Sequence, residues 1–200
     1  MRVLFLVLLM CALPTWASAP KTIVFIGDSL TEGYGLEPEE AYPAQLEKML
    51  HAQGKKDYKI LNGGISGSTT ANAAQRVRWY LKSKPHLLVL VLGANDGLRG
   101  LPVSQSRANI VAALKLAQES GVKILLGEMK LPRNYGEAYR KEFEAMYGDI
   151  AKSQNVPLLL FLLEGVGGVP KLNQPDGIHP TAEGQKKIAE NMLKALGPHL

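Results

Sequence analysis

Leu87-Leu88-Val89-Leu90-Val91-Leu92 is an unbroken apolar run with no polar alternation. A strand with one solvated face alternates polar and apolar side chains. A run without alternation suits a strand buried on both faces, as in a parallel sheet. Working outward, Thr22-Ile23-Val24-Phe25-Ile26, Lys123 to Gly127 and Pro157 to Leu162 read as further strands, and Tyr58-Lys59-Ile60-Leu61 as another with the weakest signal. Helical spacing fills the gaps. Leu46, Met49, Leu50 and Gln53 follow Pro43, and Ala74, Val77 and Leu81 precede Lys84-Pro85. Ile110, Val111, Leu114 and Ala117 stop at Gly121, and Ile188, Ala189, Met192, Leu193 and Leu196 stop at Gly197-Pro198. Tyr139, Phe143, Met146, Tyr147 and Ile150 form the clearest stripe. Alternating strands and helices predict one α/β domain over 20–200: a three-layer α/β/α sandwich on a five-stranded parallel sheet with right-handed crossovers.

The 200 residues and 46% hydrophobic content are those of an ordinary globular chain. Residues 1–19 are read apart from the fold. Arg2 is followed by the apolar run Val3 to Leu13 and then Ala17-Ser18-Ala19, the pattern of a secretory signal cleaved after Ala17 or Ala19. An exported protein, periplasmic or secreted, is expected. The apolar run is too short to span a bilayer, which takes about 20 residues. Cys11 is the only cysteine, so the processed chain can form no disulfide. It follows Met10, where a lipid-attachment site wants a small residue. The net charge of +5 is scattered, without the basic stripe or aromatic platform of a nucleic-acid binder.

Open α/β sheets bind ligands beyond the carboxyl ends of their strands. Gly27-Asp28-Ser29-Leu30 follows the first strand, Gly63-Gly64-Ile65-Ser66-Gly67 the second, and Gly93-Ala94-Asn95-Asp96 the third; Asp176-Gly177-Ile178-His179 follows the glycine-rich loop after the fifth. Ser29 is a candidate nucleophile, which needs an adjacent base because a serine hydroxyl is weak at neutral pH. It also reads as a helix cap. His179 is the candidate base, and Asp176 the residue that fixes its tautomer. The competing histidines fit less well: His86 leads a strand, His51 lies in a helix and His199 ends the chain. The second and third motifs could donate hydrogen bonds to an oxyanion, although Asn95-Asp96-Gly97 is also turn chemistry. Asp28 and Asp96 lack a third ligand for a metal and are expected to brace loops.

Taken in order, these four blocks resemble the SGNH (GDSL) hydrolases. Gly93 to Gly100 and Leu131 to Gly136 are similar to the bacterial periplasmic thioesterase/lysophospholipase/arylesterase branch. The resemblance implies a flavodoxin-like fold and hydrolysis of esters, lysophospholipids and acyl thioesters by a triad of Ser29, Asp176 and His179, without cofactor or metal. It also implies an oxyanion hole of Ser29, Gly67 and Asn95. The Gly63-Gly64 pair departs from relatives and is expected to loosen the loop leading to Gly67. Gly97 to Val103 and Leu131 to Glu137 are expected as mobile walls, with Leu98, Leu101, Leu131 and Pro132 along an acyl chain. A monomer acting on small acyl substrates is expected, with no nucleic acid and no membrane-spanning segment in the processed chain. A carbohydrate deacetylase of the same fold and a non-catalytic binding protein are the alternatives.

Overall fold

The structure is a computed structural model, and it describes residues 20–200. The signal-like segment 1–19 lies outside the described residues. Five strands, β1 (Lys21–Gly27), β2 (Tyr58–Gly64), β3 (Leu87–Val91), β4 (Lys123–Gly127) and β5 (Leu158–Leu159), form one all-parallel sheet in the order β2-β1-β3-β4-β5. The helices are α1 (Ser29–Glu32), α2 (Tyr42–Ala52), α3 (Ala73–Leu81), α4 (Ala94–Leu98), α5 (Val103–Glu119), α6 (Glu137–Gln154) and α7 (Ala182–Leu196). α2 packs on α7 as one layer, and α5 lies between α3 and α6 as the other. This is the expected three-layer α/β/α fold. Among the described residues the core runs from Ile23–Ile26 and Leu87–Leu90 out to Phe143, Tyr147 and Ile188.

Two strands differ from the sequence reading. β2, the weakest signal, pairs with β1 along its full seven residues. It is an edge strand, and its solvated Lys59 and Asn62 dilute the apolar pattern. The run Pro157 to Leu162 yields only two paired residues, because Leu158 and Leu160 face solvent while Leu159 and Leu162 turn inward. Six apolar letters conceal a half-exposed edge. The helix α4 was not legible and α1 only through the cap read at Ser29, since five and four residues are too few for a periodic stripe.

The register sets the site. Gly27 at the end of β1 lies opposite Gly64 of β2 and Val91 of β3. Three chain segments thus leave the sheet level with one another. The strand order reverses between β1 and β3, which opens a crevice at that point.

Candidate active site

Ser29 is the first residue of α1, directly beyond the buried end of β1. The helix is capped by Asp28, whose Oδ1 accepts the Leu30 N–H at 3.0 Å, so the capping role expected of Ser29 falls to its neighbour. Asp28 is only 1% exposed and its Oδ2 has no partner. Burial pushes its carboxyl up to about 6, against the pull of the Leu30 N–H. Arg76 supports this corner from beneath: its guanidinium donates to the Gly27 carbonyl at 2.8 Å and to the Gly63 carbonyl. Gln185 on α7 locks it from the other side, donating to the Leu30 carbonyl at 3.0 Å and accepting the Tyr42 N–H at 2.8 Å. Nothing local marks Gln185, which reads as one polar residue of an amphipathic helix.

The segment carrying His179 is exposed and held by polar contacts. Asn173 and Pro180 form an isolated antiparallel bridge. The Gln174 N–H donates to the His179 carbonyl at 2.7 Å, and its side chain donates to the Pro180 and Tyr34 carbonyls at 3.0 and 2.7 Å. The Tyr34 ring lies 4.5 Å from the imidazole. Within this turn Asp176 Oδ1 accepts the N–H groups of Ile178 and His179 at 2.9 and 3.0 Å, while Oδ2 stands 2.7 Å from His179 Nδ1. Those donors, the His179 N–H foremost, hold the Asp176 carboxyl down at about 2. A carboxylate only accepts, so Nδ1 carries the proton and Nε2 keeps its lone pair. Nε2 faces Ser29 Oγ at 3.0 Å, across 150 residues of sequence.

The second and third blocks lie beside this pair. Gly67 adopts φ +73°, a left-handed conformation that suits glycine, and its carbonyl accepts from Arg99 at 3.1 Å. Glu32 pins the preceding residue, accepting the Ser66 N–H at 2.8 Å and the Ser66 hydroxyl. Gly63 and Gly64 belong to β2, and they tighten the loop where looseness was expected. A Cβ at Gly63 would meet the Phe25 carbonyl at 2.6 Å, and one at Gly64 would overlap the Glu32 backbone. Asn95, in α4, donates one amide hydrogen to the Ser68 carbonyl at 3.1 Å and has a second to offer. Asp96 behind it is buried and accepts from Thr70 N–H, Thr70 Oγ and Ser106 Oγ at 2.9, 2.6 and 3.1 Å. It braces the loops as expected, whereas Asp28 does so with one oxygen only.

Ser29, Asn95 and His179 open into one cavity of about 660 Å³ whose walls include Leu98, Leu131 and Pro132. Phe161 and Leu163, from the irregular end of the fifth apolar run, complete the apolar side. Gly67 and Leu101 are not among its lining residues. Leu101 instead presents its carbonyl to the Tyr139 hydroxyl at 2.8 Å. The two walls are tied by hydrogen bonds to each other and to α6. Tyr135 donates to the Leu98 carbonyl at 3.1 Å and Arg140 to that of Leu131 at 3.2 Å, and Leu131 packs directly on Gly97.

Residues 25–187 match the GDSL-like Lipase/Acylhydrolase family. The chain belongs to this family. The GDSL enzyme is 39% identical to "Esterase TesA" of Pseudomonas aeruginosa, over 93% of this chain and 92% of that one. It is 37% identical to "Thioesterase 1/protease 1/lysophospholipase L1" of Escherichia coli K12, over 98% and 90% of the two chains. A crystal structure of the psychrotrophic esterase EstA from Pseudoalteromonas sp., inhibited by monoethylphosphonate, superposes with a TM-score of 0.85 at 32% identity, covering 90% of this chain and 98% of that one. This GDSL protein is accordingly a carboxylic ester hydrolase. Among the described residues no helix is long and apolar enough to cross a membrane, and no cluster of three or more His, Cys, Asp or Glu could hold a metal.

Proposed function

We propose that this chain is an exported serine hydrolase that cleaves carboxylic esters and acyl thioesters through an acyl-Ser29 intermediate. The carrying observation is the continuous relay from Asp176 Oδ2 through His179 to Ser29 Oγ, with spacings of 2.7 and 3.0 Å, at the mouth of an apolar cavity. His179 Nε2 takes the Ser29 proton as Oγ attacks the acyl carbonyl. The oxyanion of the tetrahedral intermediate is held by the Ser29 and Gly67 N–H groups and the free Asn95 amide hydrogen. Collapse breaks the bond to the leaving oxygen or sulfur, which receives the proton from His179. Water, deprotonated by the same imidazole, then attacks the acyl carbonyl, the bond to Ser29 Oγ breaks as His179 returns the proton to it, and the acid is released. Asp176 keeps the imidazole in the accepting tautomer throughout and stabilises its charged form.

The apolar walls favour an acyl chain over a sugar, and so favour this reading over a deacetylase. Leu98 and Pro132 are the residues we assign to chain contact. Leu131 is 5% exposed and anchors the wall through Gly97, so its replacement by a polar residue would unseat the wall as well as change its surface. Activity on p-nitrophenyl esters from acetate to palmitate, measured beside Ser29→Ala, tests the proposal. A loss of about 10⁶-fold in the variant is expected, together with a fluorophosphonate adduct on the parent protein alone. An unchanged rate in Ser29→Ala would sink the serine mechanism. Export is tested by whether the protein recovered from outside the cytoplasm begins after Ala17 or Ala19.

A further inference from the structure

On the β2 edge of the sheet, behind the Gly67 loop, Ile65 and Trp79 are 53% and 65% exposed and line a groove of about 640 Å³. Arg78 and Lys82 line the same groove, and Lys82 Nζ lies 4.7 Å from the Trp79 ring centroid. Among the described residues neither Arg78 nor Lys82 pairs with a carboxylate. The local sequence supplies none: no Asp or Glu occurs between Asp57 and Asp96, while Lys59, Arg76, Arg78, Lys82 and Lys84 do. Of the acids on or beside this edge, Glu32 is occupied by Ser66, Glu47 by the Ile60 N–H and Asp57 by Lys21.

We infer that this face is a docking surface for an anionic phospholipid membrane. An exposed indole flanked by isoleucine suits the boundary between headgroups and acyl chains, where tryptophan concentrates. Unpaired cations beside it are attracted to anionic headgroups within a Debye length. A second copy of the chain is a poor occupant, since it would bring two acid-free basic faces together. The groove also adjoins the catalytic region. Ile65 lies two residues before Gly67, and Ser68, which lines the groove, accepts from the Asn95 amide. Docking would hold the Ser29 cavity beside the surface that contains lipid esters. That consequence rests on the proposed function; the docking itself does not.

Trp79 is the only tryptophan of residues 20–200, so its emission reports on this face. The chain starting at Pro20 is mixed with vesicles of phosphatidylcholine alone, or of phosphatidylcholine with 30% phosphatidylglycerol. Binding is read by sedimentation and by Trp79 emission. The anionic vesicles are expected to bind the protein and shift the emission to shorter wavelength, and neutral vesicles to bind it weakly. Arg78→Ala combined with Lys82→Ala should weaken binding about 10- to 30-fold, and Trp79→Ala should weaken it independently. Hydrolysis of a soluble short-chain ester should stay unchanged in both variants, which separates loss of docking from loss of the catalytic site. Three results would overturn the inference: equal binding to both vesicles, binding indifferent to these substitutions, or an emission shift that follows protein concentration without vesicles, as a dimer would give. A protein that docks but hydrolyses nothing would leave the docking intact and refute the catalytic reading.

Discussion

Asp28 and Asp176 stand on opposite sides of the Ser29–His179 pair and are treated in opposite ways by the fold. Asp28 is buried, has one donor for two oxygens, and is pushed up to about 6. Asp176 keeps 41% of its side chain exposed, yet three donors converge on it and hold it down at about 2. Burial dominates at Asp28, where one donor does not offset it, and converging donors dominate at the exposed Asp176. The serine side is built like a core, from a strand end, a cap and buried Arg76 and Gln185. The histidine side is built like a surface turn, from hydrogen bonds that water could replace. The comparison also separates their tasks: Asp28 holds backbone, and Asp176 holds a tautomer.

The largest effect is expected where the exposed carboxylate acts on chemistry. Asp176→Asn should lower kcat/KM about 10³- to 10⁴-fold, because an amide can donate to Nδ1 and leave Nε2 protonated. Its melting temperature should change little. A loss of less than tenfold would mean that solvent replaces the carboxylate and would break the comparison.

Asp28→Asn tests the buried side through stability. The carboxyl titrates at about 6 in the folded chain and near 3.9 in an unfolded one. The folded state thus binds the extra proton between those values, stability falls as pH rises through that window, and the full cost is present above it. An asparagine can keep the cap without the charge. Urea midpoints should show the variant ahead of the parent by about 2 to 3 kcal/mol at pH 8, with the gain gone at pH 4. A pH-independent difference would contradict the assignment. Asp176 has the reverse sign. Its contribution is present above about pH 4 and is lost as pH falls through its folded value of about 2.

The smallest effect is expected at Glu32, which holds the Gly67 loop by a charge-assisted contact to Ser66. Glu32→Gln keeps an acceptor but not the charge, and should lower kcat about 3- to 10-fold with KM nearly unchanged. A rise in KM alone would mean that the loop binds substrate without serving the oxyanion.

The candidate residues were legible because each block carries its own chemistry: a serine after a strand, an acid and a histidine on one turn, glycines and an asparagine at strand ends. β1, β3 and β4 were legible because burial on both faces leaves an unbroken apolar run. The extent of β5 was not, since leucine is written the same whether it faces the core or the solvent. Trp79 lies two residues from both Val77 and Leu81, off the apolar stripe of its helix, and nothing in the sequence around it marks a use for it. Gln174, Gln185 and Glu32 are polar residues like many others until a partner meets them, and those partners lie as far as 155 residues away. By itself, then, the sequence determined the secondary elements with long periods, the family and the residues proposed to react. Only the tertiary structure decided which leucines reach the cavity, which carboxylate is buried, and which apolar side chain stays outside. Periodicity and local chemistry are properties of neighbouring residues, whereas burial and hydrogen-bond satisfaction depend on whichever distant segment the fold brings alongside.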